Sequence, residues 1–123
     1  MPVVAKYMSE KLIIETSLDS FEHDVLLASH ERPILVDFWA EWCPPCVVVA
    51  PLLEQVVNER DGEVMLVKLE VDEGENMKLA GRYQVRGFPT IILFENGEEK
   101  GRFSGAKPVS QIEQFIDDHS ELI

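Results

Sequence analysis

The sequence has few residues that bind metals or form disulfides. Among its 123 residues are two cysteines, Cys43 and Cys46, and three histidines, His23, His30 and His119, which are scattered away from the cysteines. A structural zinc site takes about four such ligands, so zinc binding is not expected. Two cysteines are also too few for a fold that disulfides hold together, so stability has to come from an apolar core.

Basic residues are scarce as well, with 11 Lys and Arg against 23 Asp and Glu and a formal net charge of −12. Nucleic acids and membrane surfaces need a basic face, so neither is an expected partner. No run reaches the roughly 18 apolar residues of a transmembrane helix. Residues 2–6 lack the basic start and apolar centre of a signal peptide. We therefore expect a cytoplasmic protein.

The rest of the composition is typical of one globular domain. Hydrophobic residues make up 46% of the chain, and a chain of this length can bury one core but is too short for two domains. Residues 1–9 show no apolar period and are predicted to form an N-terminal arm. The domain is therefore expected to span residues 10–123.

The apolar pattern predicts the element order β, α, β, α, β, α, β, β, α, which indicates an α/β fold whose mixed sheet carries helices on both faces. Predicted strands cover 12–15, 34–39, 64–71, 90–95 and 100–104. Predicted helices cover 20–28, 47–60, a short segment from 77 that reaches Arg82 or Tyr83, and a last segment opening at Pro108 or Ser110. Asn96-Gly97 predicts a hairpin between the last two strands. The helix over 47–60 is apolar on more than one stripe, so we expect burial on more than one side.

The two cysteines fall where a strand meets a helix. An unpaired amide and the positive end of the macrodipole at a helix start favour a thiolate, so Cys43 is expected to be the accessible nucleophile. Cys46 lies one turn along the same face and is expected to be a shielded resolving thiol. Pro44 and Pro45 fit the first helical turn, where a missing N–H has no intrahelical acceptor. A purely structural disulfide is the alternative, but so short a loop would remove little unfolded-state entropy.

Asp37 is a carboxylate in the middle of the most apolar strand. An unpaired charge there is expensive, so a raised pKa is expected. One interpretation is structural, in which Asp37 bonds a helix end or pairs with Lys68. The other is catalytic, and the residues alone leave both open.

Several motifs occur together at fixed places in the chain. They comprise Asp37, Trp39, Trp42, Cys43, Pro45 and Cys46, then Ala50 and Pro51, and further on Gly87, Phe88, Pro89 and Thr90. Over about residues 10–122 the sequence resembles the thioredoxin family, which implies a central mixed five-stranded sheet flanked by four helices. Two positions depart from the family: Pro44 stands where glycine is typical, and Val47 stands where lysine is common.

The resemblance also implies roles for individual residues. Asp37 would take and return the proton of Cys46 through a water molecule, and Lys68 would modulate it. Pro89 would be cis and packed against the cysteine pair, and the backbone of Phe88 would pair with an extended substrate segment. The implied substrate-binding surface consists of Trp42, Pro44, Pro45, Val85, Phe88, Pro89 and Gly105. Trp39 would lie under the site.

The function that the resemblance implies is that of a thiol-disulfide oxidoreductase, an electron carrier that reduces protein disulfides. It would need no cofactor, act as a monomer, and be regenerated by a flavin-dependent thioredoxin reductase. Pro44 and Val47 each disfavour the Cys43 thiolate, which makes the reduced form less stable and the couple more reducing. The two prolines also stiffen the turn, and strain in the closed disulfide would shift the reduction potential in the oxidising direction. Two alternatives therefore stay open: a more oxidising oxidase or isomerase, and a binding or chaperone module with this fold.

Overall fold

A computed structural model describes residues 11–123, so the predicted arm over residues 1–9 lies outside the described part. One five-stranded sheet has the strand order β1-β3-β2-β4-β5. The strands are β1 Ile13–Glu15, β2 Ile34–Trp39, β3 Met65–Glu70, β4 Thr90–Glu95 and β5 Glu98–Ser104. Four helical segments flank this sheet: α1 at Glu22–Leu27 continuing through Ala28–His30, α2 Pro44–Glu59, α3 Met77–Arg82 and α4 Val109–His119. The predicted α/β architecture is confirmed.

Strand β2 lies at the centre of the sheet. It pairs in parallel with β3 and antiparallel with β4, and the β2–β3 register places Asp37 opposite Lys68. Its first five residues are fully buried, as expected for an apolar strand covered on both faces. This position brings the end of β2 and the cysteines that follow it to one edge of a rigid sheet.

The β4–β5 hairpin turns at Asn96-Gly97. Both residues have positive φ, 53° and 78°, which is the backbone that a two-residue type I′ turn requires. Because the loop is that tight, pairing starts at once with Glu95 opposite Glu98. Strand β5 therefore begins two residues before the predicted start at residue 100.

Two helices differ from their predicted form. Segment α1 is a π-helix over Glu22–Leu27 that ends as a 3-10 turn, and its wider turn accompanies the complete burial of Phe21 and Val25 on the sheet. Helix α2 begins at Pro44 rather than at residue 47. Both prolines fit its first turn because that turn has no acceptor for their missing N–H groups.

Each face of the sheet carries its own apolar core. On one face Val36, Phe38, Val67 and Ile92 pack with residues from α1 and α3, and on the other Leu35, Leu66, Ile91 and Leu93 pack with residues from α2 and α4. Side chains alternate along a strand, so Asp37 shares the parity of Leu35 and points to the face that α2 covers. No helix among residues 11–123 is long and apolar enough to cross a membrane.

The expectation that α2 is buried on more than one side is wrong. Its buried residues are Cys46, Val49, Leu53, Val56 and Val57. In contrast, Val47 is 64% exposed and Val48 is 58% exposed. The physical reason is that α2 rests on one face of the sheet with α4 as its helical neighbour, which leaves its outer side without a covering element in the described part of the chain.

Candidate active site

The cysteine pair lies where the carboxyl end of β2 leads into α2. Cys43 is the N-cap residue of α2, its Cα is 5.3 Å from that of Cys46, and the two form a disulfide. The Cys46 N–H donates to Cys43 Sγ at 3.3 Å. Since Pro44 and Pro45 have no N–H, this is the first backbone donor that α2 offers to the sulfur.

The two cysteines are almost equally enclosed. Cys43 is 3% exposed and Cys46 is 2% exposed, so the expected contrast between an open nucleophile and a shielded partner is absent from the disulfide form. The two sulfurs are bonded to each other, and both residues belong to the apolar core that includes Ala40 and Val85. Access to Cys43 therefore depends on the side chains at the rim.

Asp37 is buried in the middle of β2, with 1% of its surface exposed. Neither carboxylate oxygen, nor the indole nitrogen of Trp39, has a hydrogen-bond partner among the described residues. Burial raises the pKa of Asp37 to about 7, opposed by the charge of Lys68 and assisted by that of Glu54. This agrees with the expected raised pKa, and it makes the group change protonation near neutral pH.

Lys68 lies opposite Asp37 in the strand register, but its side chain forms an ion pair with a different residue. Its Nζ lies 3.9 Å from Glu54 Oε2 on α2 and 5.3 Å from the centroid of the Trp39 ring. The ion pair that the structure records for Lys68 is thus with Glu54. The interpretation in which Asp37 and Lys68 form a direct pair is not supported, and Lys68 acts on Asp37 through its charge.

Trp42 forms an exposed rim beside the disulfide. The side chain is 64% exposed, its Nε1 donates to Asp72 Oδ2 at 2.5 Å, and its ring meets that of Phe88 edge to face at 5.9 Å. The sequence patterns pointed to neither Asp72 nor Glu54 as a site residue. Neither residue carries a local signal, because each acts on a residue that is remote in the chain.

The loop before β4 supplies the rest of the predicted surface. The Phe88–Pro89 peptide bond is cis, as the resemblance implies. Gly105 N donates to Pro89 O at 3.0 Å, so these two residues are held together. Val85 is buried in the same core as the cysteines, and Phe88 packs against that core. Pro44 and Pro45 are exposed beside the disulfide.

Carboxylates dominate the loop after β3. Partial desolvation and the nearby carboxylates of Glu41, Glu73 and Asp72 raise the pKa of Glu70. The Trp42–Asp72 hydrogen bond connects this acidic loop to the rim of the site. Among residues 11–123, no three His, Cys, Asp or Glu residues lie close enough to hold a metal ion.

A disulfide between residues three apart, at the start of a helix that follows the central strand of a mixed sheet, defines a class of protein-disulfide oxidoreductases. Comparison of the sequence with known protein families identifies the family within that class. The Thioredoxin family model matches residues 12–118. The chain belongs to the thioredoxin family.

Curated relatives of this family are similar over most of their length. "Thioredoxin" from Pseudomonas aeruginosa is 43% identical over 110 residues, which cover 89% of this chain and 97% of that protein. "Thioredoxin C-2" from Corynebacterium nephridii is 43% identical over 105 residues, covering 85% and 94%. "Thioredoxin" from Acidithiobacillus ferridurans is 42% identical over 105 residues, again covering 85% and 94%. Protein-disulfide oxidoreductase activity follows from this membership.

Proposed function

We propose that this protein reduces disulfides of client proteins, with Cys43 as the attacking and Cys46 as the resolving sulfur. The observation that carries the proposal is the place of Cys43 at the amino end of α2, where its Sγ accepts from the Cys46 N–H, the first backbone donor of the helix. That donor and the helix dipole favour a thiolate at Cys43. Cys46, one turn inward, has no comparable position at the helix end.

The exchange has two balanced steps. The Cys43 thiolate attacks one client sulfur, which forms a mixed disulfide and releases the other client sulfur as a thiolate. The Cys46 thiolate then attacks Cys43 Sγ, which releases the first client sulfur and closes the Cys43–Cys46 disulfide. The client gains two electrons and two protons.

Asp37 is proposed to accept the proton that Cys46 loses in the second step, through a water molecule. Its raised pKa of about 7 suits a base that works near neutral pH. Its strand parity directs it to the face covered by α2, the helix that carries Cys46. Lys68 and Glu54 would set its pKa in opposite directions.

The proposed client surface consists of Trp42, Pro44, Pro45, Val85, Phe88, Pro89 and Gly105. The edge-to-face contact between the Phe88 ring and the ring of Trp42, the residue before Cys43, supports an apolar rim at this surface. An extended client segment would pair with the backbone of Phe88 as an added strand. Backbone hydrogen bonds depend little on the client's side chains, so we expect a broad range of clients.

The physiological setting is proposed from the family. Disulfide-containing proteins are the substrates that membership of the family implies. We propose a flavin-dependent thioredoxin reductase as the electron donor, a cytoplasmic location, a monomer, and residues 10–123 as the functional domain.

Insulin reduction, coupled to a thioredoxin reductase and NADPH, tests the proposed roles. Cys43→Ser is expected to abolish turnover, whereas Cys46→Ser is expected to form a stable mixed disulfide with the client. Trapping of the client by Cys43→Ser instead would reverse the assignment. Equilibration with glutathione buffers separates a reductant from an oxidase or isomerase, and cellular function retained by Cys43→Ser would favour a docking module.

A further inference from the structure

Helix α2 has a second apolar face that points away from the sheet. Pro44, Val47, Val48 and Pro51 have the spacing i, i+3, i+4 and i+7, which places them on one side of a helix. All four are exposed, and the two valines are among the most exposed large apolar residues of the described chain. We call these four residues the α2 patch.

The α2 patch has no evident role in the fold. The helix packs through a different set of residues, including Val49, Leu53 and Val56, and neither apolar core includes a patch valine. Valine is a weak helix former because its branched side chain loses rotamer freedom. Two adjacent exposed valines therefore do not stabilise α2 by themselves.

The patch is confined to the two turns of α2 nearest the disulfide. Farther along the same outer side the exposed residues are polar, namely Gln55, Asn58 and Glu59. At the other end the patch starts at Pro44, which directly follows Cys43. It is thus continuous with the surface that a client has to cover when one of its sulfurs reaches Cys43 Sγ.

Charge decides which occupant fits this surface. On the other side of Cys43 in the sequence, the indole of Trp42 donates to Asp72 in the acidic loop that follows Glu70, the last residue of β3, and that also contains Glu73. The whole chain carries a net charge of −12. A second copy of this chain would bring like charges together at that rim, whereas a neutral or basic partner would not.

We propose that the α2 patch binds apolar side chains of the client segment that flanks the attacked disulfide, and that the preferred clients are neutral or basic around that segment. This inference rests on the proposed function and adds substrate preference to it. The patch extends the recognition surface along α2. Client side chains that contact the patch would then add selectivity to the backbone pairing at Phe88, which tolerates many sequences.

The test uses two synthetic peptides, each closed by one disulfide and equal in positive charge, with leucines beside the cysteines of one and serines beside those of the other. The wild-type protein is expected to reduce the leucine peptide with a kcat/KM about fivefold higher than that for the serine peptide, mainly through a lower KM. A difference of this size is what burial of apolar surface against two valines can supply. In the double variant Val47→Ser, Val48→Ser this preference is expected to disappear, with the rate on the serine peptide unchanged. Serine keeps the local charge, so the cysteines should be unaffected.

Leu27→Ser is the matched control, because Leu27 is 57% exposed on α1 and lies outside the site. It should keep the preference for the leucine peptide. An unchanged preference in the valine variant, or an equal loss on both peptides, would overturn the inference. So would a wild-type dimer that the variant converts to a monomer, since a second copy would then occupy the patch. If the wild-type protein reduces neither of the two peptides nor insulin, the proposed function itself fails. If it reduces insulin normally but shows no preference between the peptides, only this inference is rejected.

Discussion

Asp37 and Lys68 are register partners on neighbouring parallel strands, yet Lys68 forms its recorded ion pair with Glu54 of α2. The buried carboxylate is therefore left without a direct counter-ion and has a pKa raised to about 7. A carboxyl group that ionises near neutral pH is suited to proton transfer and unsuited to holding a fold together.

Replacing Asp37 with Asn should slow the resolution step while leaving the first attack nearly unchanged. A missing general base typically lowers a rate by about 10²- to 10⁴-fold, and we expect the low end of that range above pH 7. Stopped-flow single turnovers should show the mixed disulfide accumulating in this variant. The wild-type resolution rate should rise with pH through about 7, where Asp37 ionises. Equal slowing of both steps would remove the proposed role.

The same substitution should stabilise the oxidised protein at alkaline pH. The pKa of Asp37 is about 7 in the folded protein against an ordinary 3.8, so the folded state binds more protons between these values and stability falls as pH rises through that window. Asp37→Asn should remove this fall, with a gain at pH 8 on the order of 4 kcal/mol. Urea unfolding of both proteins at pH 4 and pH 8 measures it. Parallel stability profiles for the two would contradict the raised pKa.

Lys68→Met and Glu54→Gln should move the pH profile of resolution in opposite directions. Lys68 lowers and Glu54 raises the pKa of Asp37. Removing Lys68 should therefore shift the profile to higher pH, and removing Glu54 should shift it to lower pH. The pair serves as its own control, because each substitution breaks the same Lys68–Glu54 contact. Shifts of the same sign would show that this contact, rather than the charges, controls the step.

Asp72→Ala should weaken client binding by releasing the Trp42 indole. We expect KM for insulin to rise about threefold with little change in kcat, since an exposed hydrogen bond contributes about 1 kcal/mol or less. Asp72→Asn removes the charge but keeps an acceptor oxygen, so it should remain close to wild type. Trp42 fluorescence anisotropy gives an independent measure of ring mobility. If Asn and Ala behave alike, the charge of Asp72 is what matters.

Arg60→Met should destabilise the protein without altering the chemistry of the cysteines. Arg60 joins the end of α2 to α4 through Glu113 and Asp117, and its side chain is 11% exposed. Loss of these ion pairs, whose carboxylates are 34% and 53% exposed, should lower the free energy of unfolding by about 1–2 kcal/mol. Arg60→Lys should be intermediate, because lysine lacks the planar fork that reaches both carboxylates. Denaturant midpoints measure stability, and insulin turnover under native conditions should be unchanged.

The features that the sequence predicted well are local ones. The apolar run over Ile34–Trp39, the Asn96-Gly97 turn and the two prolines after Cys43 each act on their immediate neighbours. The conformation of each of these segments depends on the backbone preferences of a few residues and on hydrogen bonds between residues close in sequence. The start of α2 was predicted three residues late because apolar spacing set the expected boundary at residue 47, although Pro44 and Pro45 were expected to fit the first helical turn.

The sequence by itself determined the position of the disulfide at a strand-to-helix junction and placed a carboxylate inside the central strand. Only the tertiary structure decided that Lys68 turns to Glu54, that Asp72 holds Trp42, and that the valines of α2 face outward. These outcomes depend on how elements far apart in the chain are packed against each other. A pattern of apolar spacing shows which residues could be buried, but the neighbours present in space determine which of them are.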